Sequence, residues 1–176
     1  MPQYRELRAD ELTIELFEHF ERRQVVTDRV RQVDGKWAVL EDPSVDDWGP
    51  DEYARLVECL KGTIQSGGVV WAAFIDDELK GFASDEGLPM GSAGQYMELT
   101  SLHVSSDARR NGIGAVLFLL AADFARNLGT EKLYISAHSA VETQAFYKAM
   151  GCVDAEEPST HHLESEPGDR QLEYLL

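Results

Sequence analysis

Apolar and polar positions along the chain change period several times, and each change marks an element. Residues Gln3 to Arg8 alternate weakly, as a short strand does. Asp10 then stands as a cap before Leu12, Leu16, Phe17 and Phe20, which share one side of a helix. Val30 to Val33 and Lys36 to Leu40 are β-prone runs joined by Asp34-Gly35, a strong short-range hairpin signal. Residues 41 to 52, EDPSVDDWGPDE, read as an acidic loop running into a helix that starts at Pro50. Tyr53, Leu56, Val57, Leu60 and Ile64 give that helix one apolar side, and Gly67-Gly68 ends it.

From residue 69 the pattern becomes β-rich. Val69 to Ile75 and Leu79 to Ser84 form a hairpin over Asp76-Asp77, a glycine-rich loop spans Gly87 to Gly94, and Tyr96 to Val104 is a third strand. Ala115 to Asn127 is a helix, apolar nearly all round and therefore expected to be buried. Leu133 to Ala137 is a strand, Ala140 to Met150 a helix opened by a Ser139–Glu142 capping box, and Gln171 to Leu176 a last strand. This order predicts an α/β (α+β layered) fold with a mixed sheet. No repeat or linker divides the chain, so one domain over residues 1–176 is expected.

Composition narrows the function classes. With 43% hydrophobic residues in 176 there is enough apolar mass for one core. Sixteen basic against 32 acidic side chains give a formal net charge of −16, which argues against a nucleic-acid-binding surface. Neither a membrane-spanning run nor an apolar leader stands out, so a cytoplasmic protein without membrane contact is expected. Cys59 and Cys152 lie far apart outside any ligand spacing, and no metal site is expected.

The most informative stretch runs from Leu102 to Ala115, LHVSSDARRNGIGA. A strand ends, a polar loop turns, and a helix opens on Gly112 and Gly114. Glycines let a ligand approach the backbone, and the free N–H groups of a first helical turn favour an anion. Arg109 and Arg110 add full charge beside them. A dinucleotide fingerprint would need a third glycine where Leu117 stands, and the Gly-Lys-Ser/Thr of a P-loop is absent.

These residues resemble a family. Arg109-Arg110-Asn111-Gly112-Ile113-Gly114 looks like the Arg/Gln-x-x-Gly-x-Gly/Ala motif of the GCN5-related N-acetyltransferases (GNAT), and Leu102-His103-Val104 sits where that family has its bulged fourth strand. A second block, Phe146-Tyr147-Lys148-Ala149-Met150-Gly151-Cys152, looks like the later Phe/Leu-Tyr-x-x-x-Gly-Phe motif. The resemblance covers about residues 69 to 154 and implies a mostly antiparallel mixed sheet flanked by helices. It also implies acetyl transfer from acetyl-CoA to an amine. Arg109, Arg110, Asn111, Gly112, Ile113, Gly114 and Ala115 would hold the pyrophosphate. The backbone of Leu102, His103 and Val104 would pair with the pantetheine amides, and Thr143 and Phe146 would lie along the coenzyme. Ala140 departs from the family's usual Asn, Thr143 from its Ala and Cys152 from its final Phe.

Acyl transfer to an amine moves two protons. The resemblance assigns Tyr147 as the acid facing the coenzyme sulfur, since a phenol donates without being charged at neutral pH. Glu98 is the candidate base: it is a charge inside an apolar strand, 11 residues before Arg109, at the spacing of family members with a glutamate base. His103 is the rival and water a third possibility; alternation puts Glu98 and His103 on opposite faces unless a bulge intervenes. His138 reads as structural or solvent-facing, and His161 and His162 fall in a polar loop. The acceptor is expected to be a primary amine of a small molecule or peptide. Residues 21–52 look like an insertion on the acceptor side, in which Trp37, Trp48, Glu41, Asp42, Asp46, Asp47, Asp51 and Glu52 would form an acidic, aromatic wall. A homodimer is compatible with this reading. The alternative class is an acyl-CoA-binding sensor without catalysis.

Overall fold

The computed structural model describes residues 1–176. In chain order the elements are β1 (Gln3–Glu6), two 3₁₀ turns (Ala9–Glu11 and Ile14–Phe17), β2 (Arg23–Val33), β3 (Lys36–Asp47), α1 (Pro50–Gln65), β4 (Val69–Ile75), β5 (Glu78–Asp85) and β6 (Tyr96–Val104). They continue with a 3₁₀ turn (Ser106–Ala108), α2 (Ile113–Asn127), β7 (Lys132–Ala137), α3 (Val141–Met150), β8 (Val153–Asp154), α4 (Thr160–Ser165) and β9 (Arg170–Leu175). Seven strands form one sheet in the order β1-β4-β5-β6-β7-β9-β8, while β2 and β3 make a separate ribbon. Every neighbouring pair in the large sheet is antiparallel except β6–β7.

A hydrophobic layer covers each face of the sheet. On one, Ile113, Leu117, Phe118 and Ala121 of α2 pack on Ala73, Ala83, Met97 and Leu99. On the other, Val57 and Leu60 of α1 join Leu12, Phe17 and Phe20 against Val70, Leu79 and Phe82. Gly81 sets the height of α2 above the sheet. A Cβ there would lie 2.8 Å from Ile113 Cγ2 and 2.9 Å from Leu117 Cδ1, so only glycine lets the helix start this close to β5.

Several sequence expectations are corrected. The helix after Asp10 is two 3₁₀ turns. Glu11 accepts from the Arg8 N–H, and the Thr13 hydroxyl accepts from Leu16 N–H, so the chain is re-capped before an α-helix can propagate. Leu12, Phe17 and Phe20 are buried all the same. Residues 41–47 are strand, not loop: β3 runs to Asp47, with Val45 opposite Val25, and its acidic residues are tolerated because most of the ribbon is open to solvent. Helix α2 is not enclosed, as Val116 and Leu119 are 37% and 48% exposed. The capping box at α3 does not form, because the Ser139 hydroxyl accepts from Arg29 Nη1 at 3.0 Å instead. That bond, with Val30 N–H donating to Ser139 O at 2.8 Å, ties the ribbon to the start of α3.

Candidate active site

The parallel pairing of β6 with β7 runs from Tyr96–Lys132 to Glu98–Tyr134 and stops. Beyond it β6 continues to Val104 and β7 to Ala137 without pairing to each other, so the two strands splay. The register on the other side of β6 shifts at the same place: Ser84 faces Ser101 and Asp85 faces Leu99, leaving Thr100 as an extra residue. This is the bulge on which the relative facing of Glu98 and His103 depended. The splay opens into a cavity of about 1090 Å³, walled by Leu99 to Val104, by Ile135 to His138 with Ala137 set back, and by Thr143, Phe146 and Tyr147 of α3.

At one end of the cavity lies the turn before α2. Gly112 caps the helix at φ 77° and Arg110 sits at φ 65°, both left-handed, and no side chain caps the helix. The N–H groups of Arg109 through Ala115 find no acceptor in the chain, and α2 presents its positive dipole end there. The turn is held from outside, by Asn111 Nδ2 donating to Ala108 O at 3.2 Å and Arg109 Nε donating to Val104 O at 3.2 Å. The Arg109 bond occupies one carbonyl of the Leu102–Val104 edge expected to pair with a ligand; otherwise that edge faces the cavity with no strand beside it. A Cβ on Gly114 would come 3.3 Å from Phe146 Cε2, so the second glycine serves the approach of α2 to α3. A Cβ on Gly112 would meet nothing within 4 Å: the space above the helix start is open. These features fit a pyrophosphate.

Tyr147 is buried at 7% exposure in the α3 wall, and its hydroxyl makes no hydrogen bond within the chain. Burial raises its pKa above the ordinary phenol value, which keeps the proton on oxygen. Glu98 is paired. His162 Nε2 lies 2.6 Å from Glu98 Oε1, and His162 Nδ1 lies 3.7 Å from Glu166. The imidazole stacks on Tyr134 with ring centroids 5.7 Å apart, and α4 is anchored by Ser159 N–H donating to the Tyr134 hydroxyl at 2.8 Å. Burial raises the Glu98 pKa, the Glu86 charge adds to the rise, and His162 opposes it. His162 is the residue that sequence reasoning missed. It belongs to a one-and-a-half-turn helix rather than a polar loop, and no local signal links it to Glu98, 64 residues earlier.

His103 is placed differently. Its ring packs 5.0 Å from Trp48 and 5.3 Å from Phe82, toward α1. Burial, then the charges of Arg22 and Arg109, push its pKa down to about 3, so it is neutral and a very weak base. His138 lines the cavity, with Nδ1 accepting from Ala140 N–H at 3.2 Å and Nε2 3.5 Å from Asp46.

A second groove, about 670 Å³, lies between α1 and the sheet. Trp48, Leu56, Cys59, Ser84 and Glu86 line it, and it shares Thr100, Ser101 and His103 with the first cavity. The acidic, aromatic wall expected from residues 21–52 does not form as one surface. Asp42 is paired with Arg29 and Arg31, Asp46 with His138, and Glu52 accepts from the Gly49 N–H at the start of α1. Trp37 lies under Arg170, with the guanidinium 4.3 Å from its ring, while Trp48 packs on Tyr53 and His103.

Comparison with known proteins agrees with this architecture. The sequence model of the acetyltransferase (GNAT) family matches residues 34–152. Among solved structures, nourseothricin acetyltransferase is similar over 98% of this chain and 95% of its own, at 18% identity and TM-score 0.67. The PaiA N-acetyltransferase of Thermoplasma acidophilum, in complex with coenzyme A, is similar over 100% and 99%, at 13% identity and TM-score 0.62. A GNAT family acetyltransferase of Elizabethkingia anophelis with acetyl-CoA bound is similar over 68% and 82%, at 18% identity and TM-score 0.53. No curated protein matches this sequence. The chain belongs to the GNAT acetyltransferase family, and the mixed, mostly antiparallel sheet flanked by helices is that family's fold. No helix is long and apolar enough to cross a membrane.

Proposed function

We propose that this chain, acting as one domain, transfers the acetyl group of acetyl-CoA directly to a primary amine of a small molecule or peptide. One observation carries the reading: a groove with a pyrophosphate cradle and a second groove against α1 meet at the bulged residues of the splayed strand. Two ligands entering from opposite sides of β6 meet there. The acetyl-CoA complexes of structural relatives support the identity of the first ligand. When bound, acetyl-CoA supplies an activated acetyl thioester.

The chain's own residues do the rest. The N–H groups of Arg109 to Ala115, with Arg109 and Arg110, bind the pyrophosphate. Thr143 and Phe146 wall the coenzyme side, and the free edge of Leu102 to Val104 offers hydrogen bonds to an extended amide chain. An alkyl ammonium ion has a pKa of about 10.4 and must lose a proton before it attacks. The Glu98 carboxylate takes that proton, and the bond from His162 favours the ionised form it needs. The free amine forms the C–N bond to the acetyl carbon as the C–S bond breaks; Tyr147, held protonated by burial, gives its hydroxyl proton to the departing thiolate, and the proton shed by the acylated nitrogen restores the phenol. His103 is not the base in this reading, because burial makes its ring a very weak base and it packs between Trp48 and Phe82. Direct transfer is favoured over an intermediate on Cys152, because burial pushes that thiol up to about 12.

The test is release of free thiol from acetyl-CoA across a panel of amino acids, polyamines, aminoglycosides and peptides. Release that depends on one class of amine is expected. Coenzyme binding without amine-dependent release from any class would contradict the reading and leave a binding module.

A further inference from the structure

Arg22 is a buried cation without a partner. It stands at the entrance to β2 and is 8% exposed, yet its Nε and Nη1 atoms are buried without any hydrogen-bond partner. No carboxylate pairs with it, in a chain that has 32 acidic side chains to 16 basic. Asp46 is the acid whose field reaches it, and Asp46 is committed to His138. The backbone is pinned on both sides, Arg22 N–H donating to the Tyr53 hydroxyl at 3.2 Å and Arg22 O accepting from Trp48 N–H at 3.1 Å. Its guanidinium carbon lies 5.2 Å above the Trp48 ring. The position is therefore built, and an unpaired buried guanidinium is a costly thing to build without a ligand.

The side chain lines the splay cavity, and the rings beside it, Trp48 and His103, line the α1-side groove. The ligand that completes it is an oxyanion. Two sources have that chemistry: a phosphate of the coenzyme and a carboxylate of the acceptor. The cradle at Arg109–Ala115 already offers a run of unaccepted N–H groups and two arginines, whereas the one basic residue lining the α1-side groove, Arg55, is exposed, and Arg22 reaches that side from the splay cavity through Trp48. We propose that Arg22 anchors an anion subsite for the acceptor, so that the preferred amine carries a carboxylate. This rests on the α1-side groove being the acceptor's entry. The substrate is then bipolar, with its carboxylate at Arg22 and its amine turned toward the bulge where the two grooves meet, which narrows the class to amino acids and amino-acid-like amines.

The experiment compares matched amines that differ only in the carboxylate: lysine against 1,5-diaminopentane, and ornithine against 1,4-diaminobutane. Binding to the complex of the protein with coenzyme A is read by calorimetry or thermal shift, so the result does not depend on turnover. The wild-type protein should bind the carboxylated member about 10- to 100-fold more tightly, the range of a charged hydrogen-bonded pair. Arg22→Met should abolish that preference and leave coenzyme affinity unchanged, and Arg22→Lys should keep part of it. If the Met variant fails to fold, Arg22→Gln takes its place. Equal binding of the two members by the wild type, or binding of neither, overturns the proposal. So does a tenfold loss of coenzyme affinity in the Met variant, which would make Arg22 a phosphate contact. Intact discrimination without acetyl transfer to any amine would leave the subsite standing and sink the proposed reaction instead.

Discussion

The two grooves that meet at Thr100 are made in different ways. The proposed coenzyme side is built largely from backbone: a free strand edge at Leu102–Val104 and the N–H groups of a turn whose two glycines, Gly112 and Gly114, follow that edge by 8 and 10 residues. The proposed acceptor side is lined by side chains from distant elements, Trp48, Leu56, Cys59, Ser84 and Glu86 among them, and the Glu98–His162 pair beside the two grooves joins residues 64 apart. A backbone site needs particular local conformations, and those leave glycines at fixed spacing in the sequence. A side-chain site needs only that distant elements pack correctly, and it leaves no local trace.

That contrast accounts for what the sequence disclosed. The strands at Val69–Ile75 and Tyr96–Val104, the helix starting at Pro50, and the cradle at Gly112 follow from period, caps and turn residues acting over a few positions. The pairing of His162 with Glu98 depends on a short helix, Thr160–Ser165, whose six residues carry no readable period. The ribbon was half legible. Asp34-Gly35 marks its turn, but its outer half is paired only through cross-strand partners such as Val25 and Val45, set 20 residues apart. The acidic run at 41–52 suggested a cation-binding wall, and the arginines on the facing strand neutralise part of it.

If the coenzyme side depends on backbone, a single Cβ should disable it while distant side chains stay neutral. Gly112→Val puts a β-branched residue at φ 77° and fills the open space over the helix start. Coenzyme affinity should fall by about 100-fold or more, which corresponds to losing roughly 3 kcal/mol of interaction. The stabilisation that acetyl-CoA gives the wild type in a thermal melt should vanish with it. A folded Gly112→Val protein with wild-type coenzyme affinity would mean the anion is held elsewhere.

A smaller effect is expected where one atom is removed from the boundary between the two sides. Tyr147→Phe keeps the ring and loses the hydroxyl. A fall in kcat of about 10- to 1000-fold is expected, near the range for losing one general acid, with coenzyme affinity unchanged. Turnover at the wild-type rate would show that the thiolate leaves without help.

The central claim is that a buried carboxylate, paired with an imidazole, receives the amine's proton. Its most direct test is the pH dependence of kcat/KM for the wild type, Glu98→Gln, His162→Ala and His103→Ala. Burial raises the Glu98 pKa, so its ionised, active form is present above that raised value and is lost as the pH falls through it. The wild-type profile should therefore carry an acidic limb above the ordinary carboxylate range. Glu98→Gln should abolish the limb and recover part of its activity at high pH, where more of the amine arrives deprotonated. His162→Ala should move the limb to higher pH, because the bond that favours the ionised carboxylate is gone, and His103→Ala should leave the limb in place. An acidic limb that survives in Glu98→Gln and disappears in His103→Ala would contradict the account.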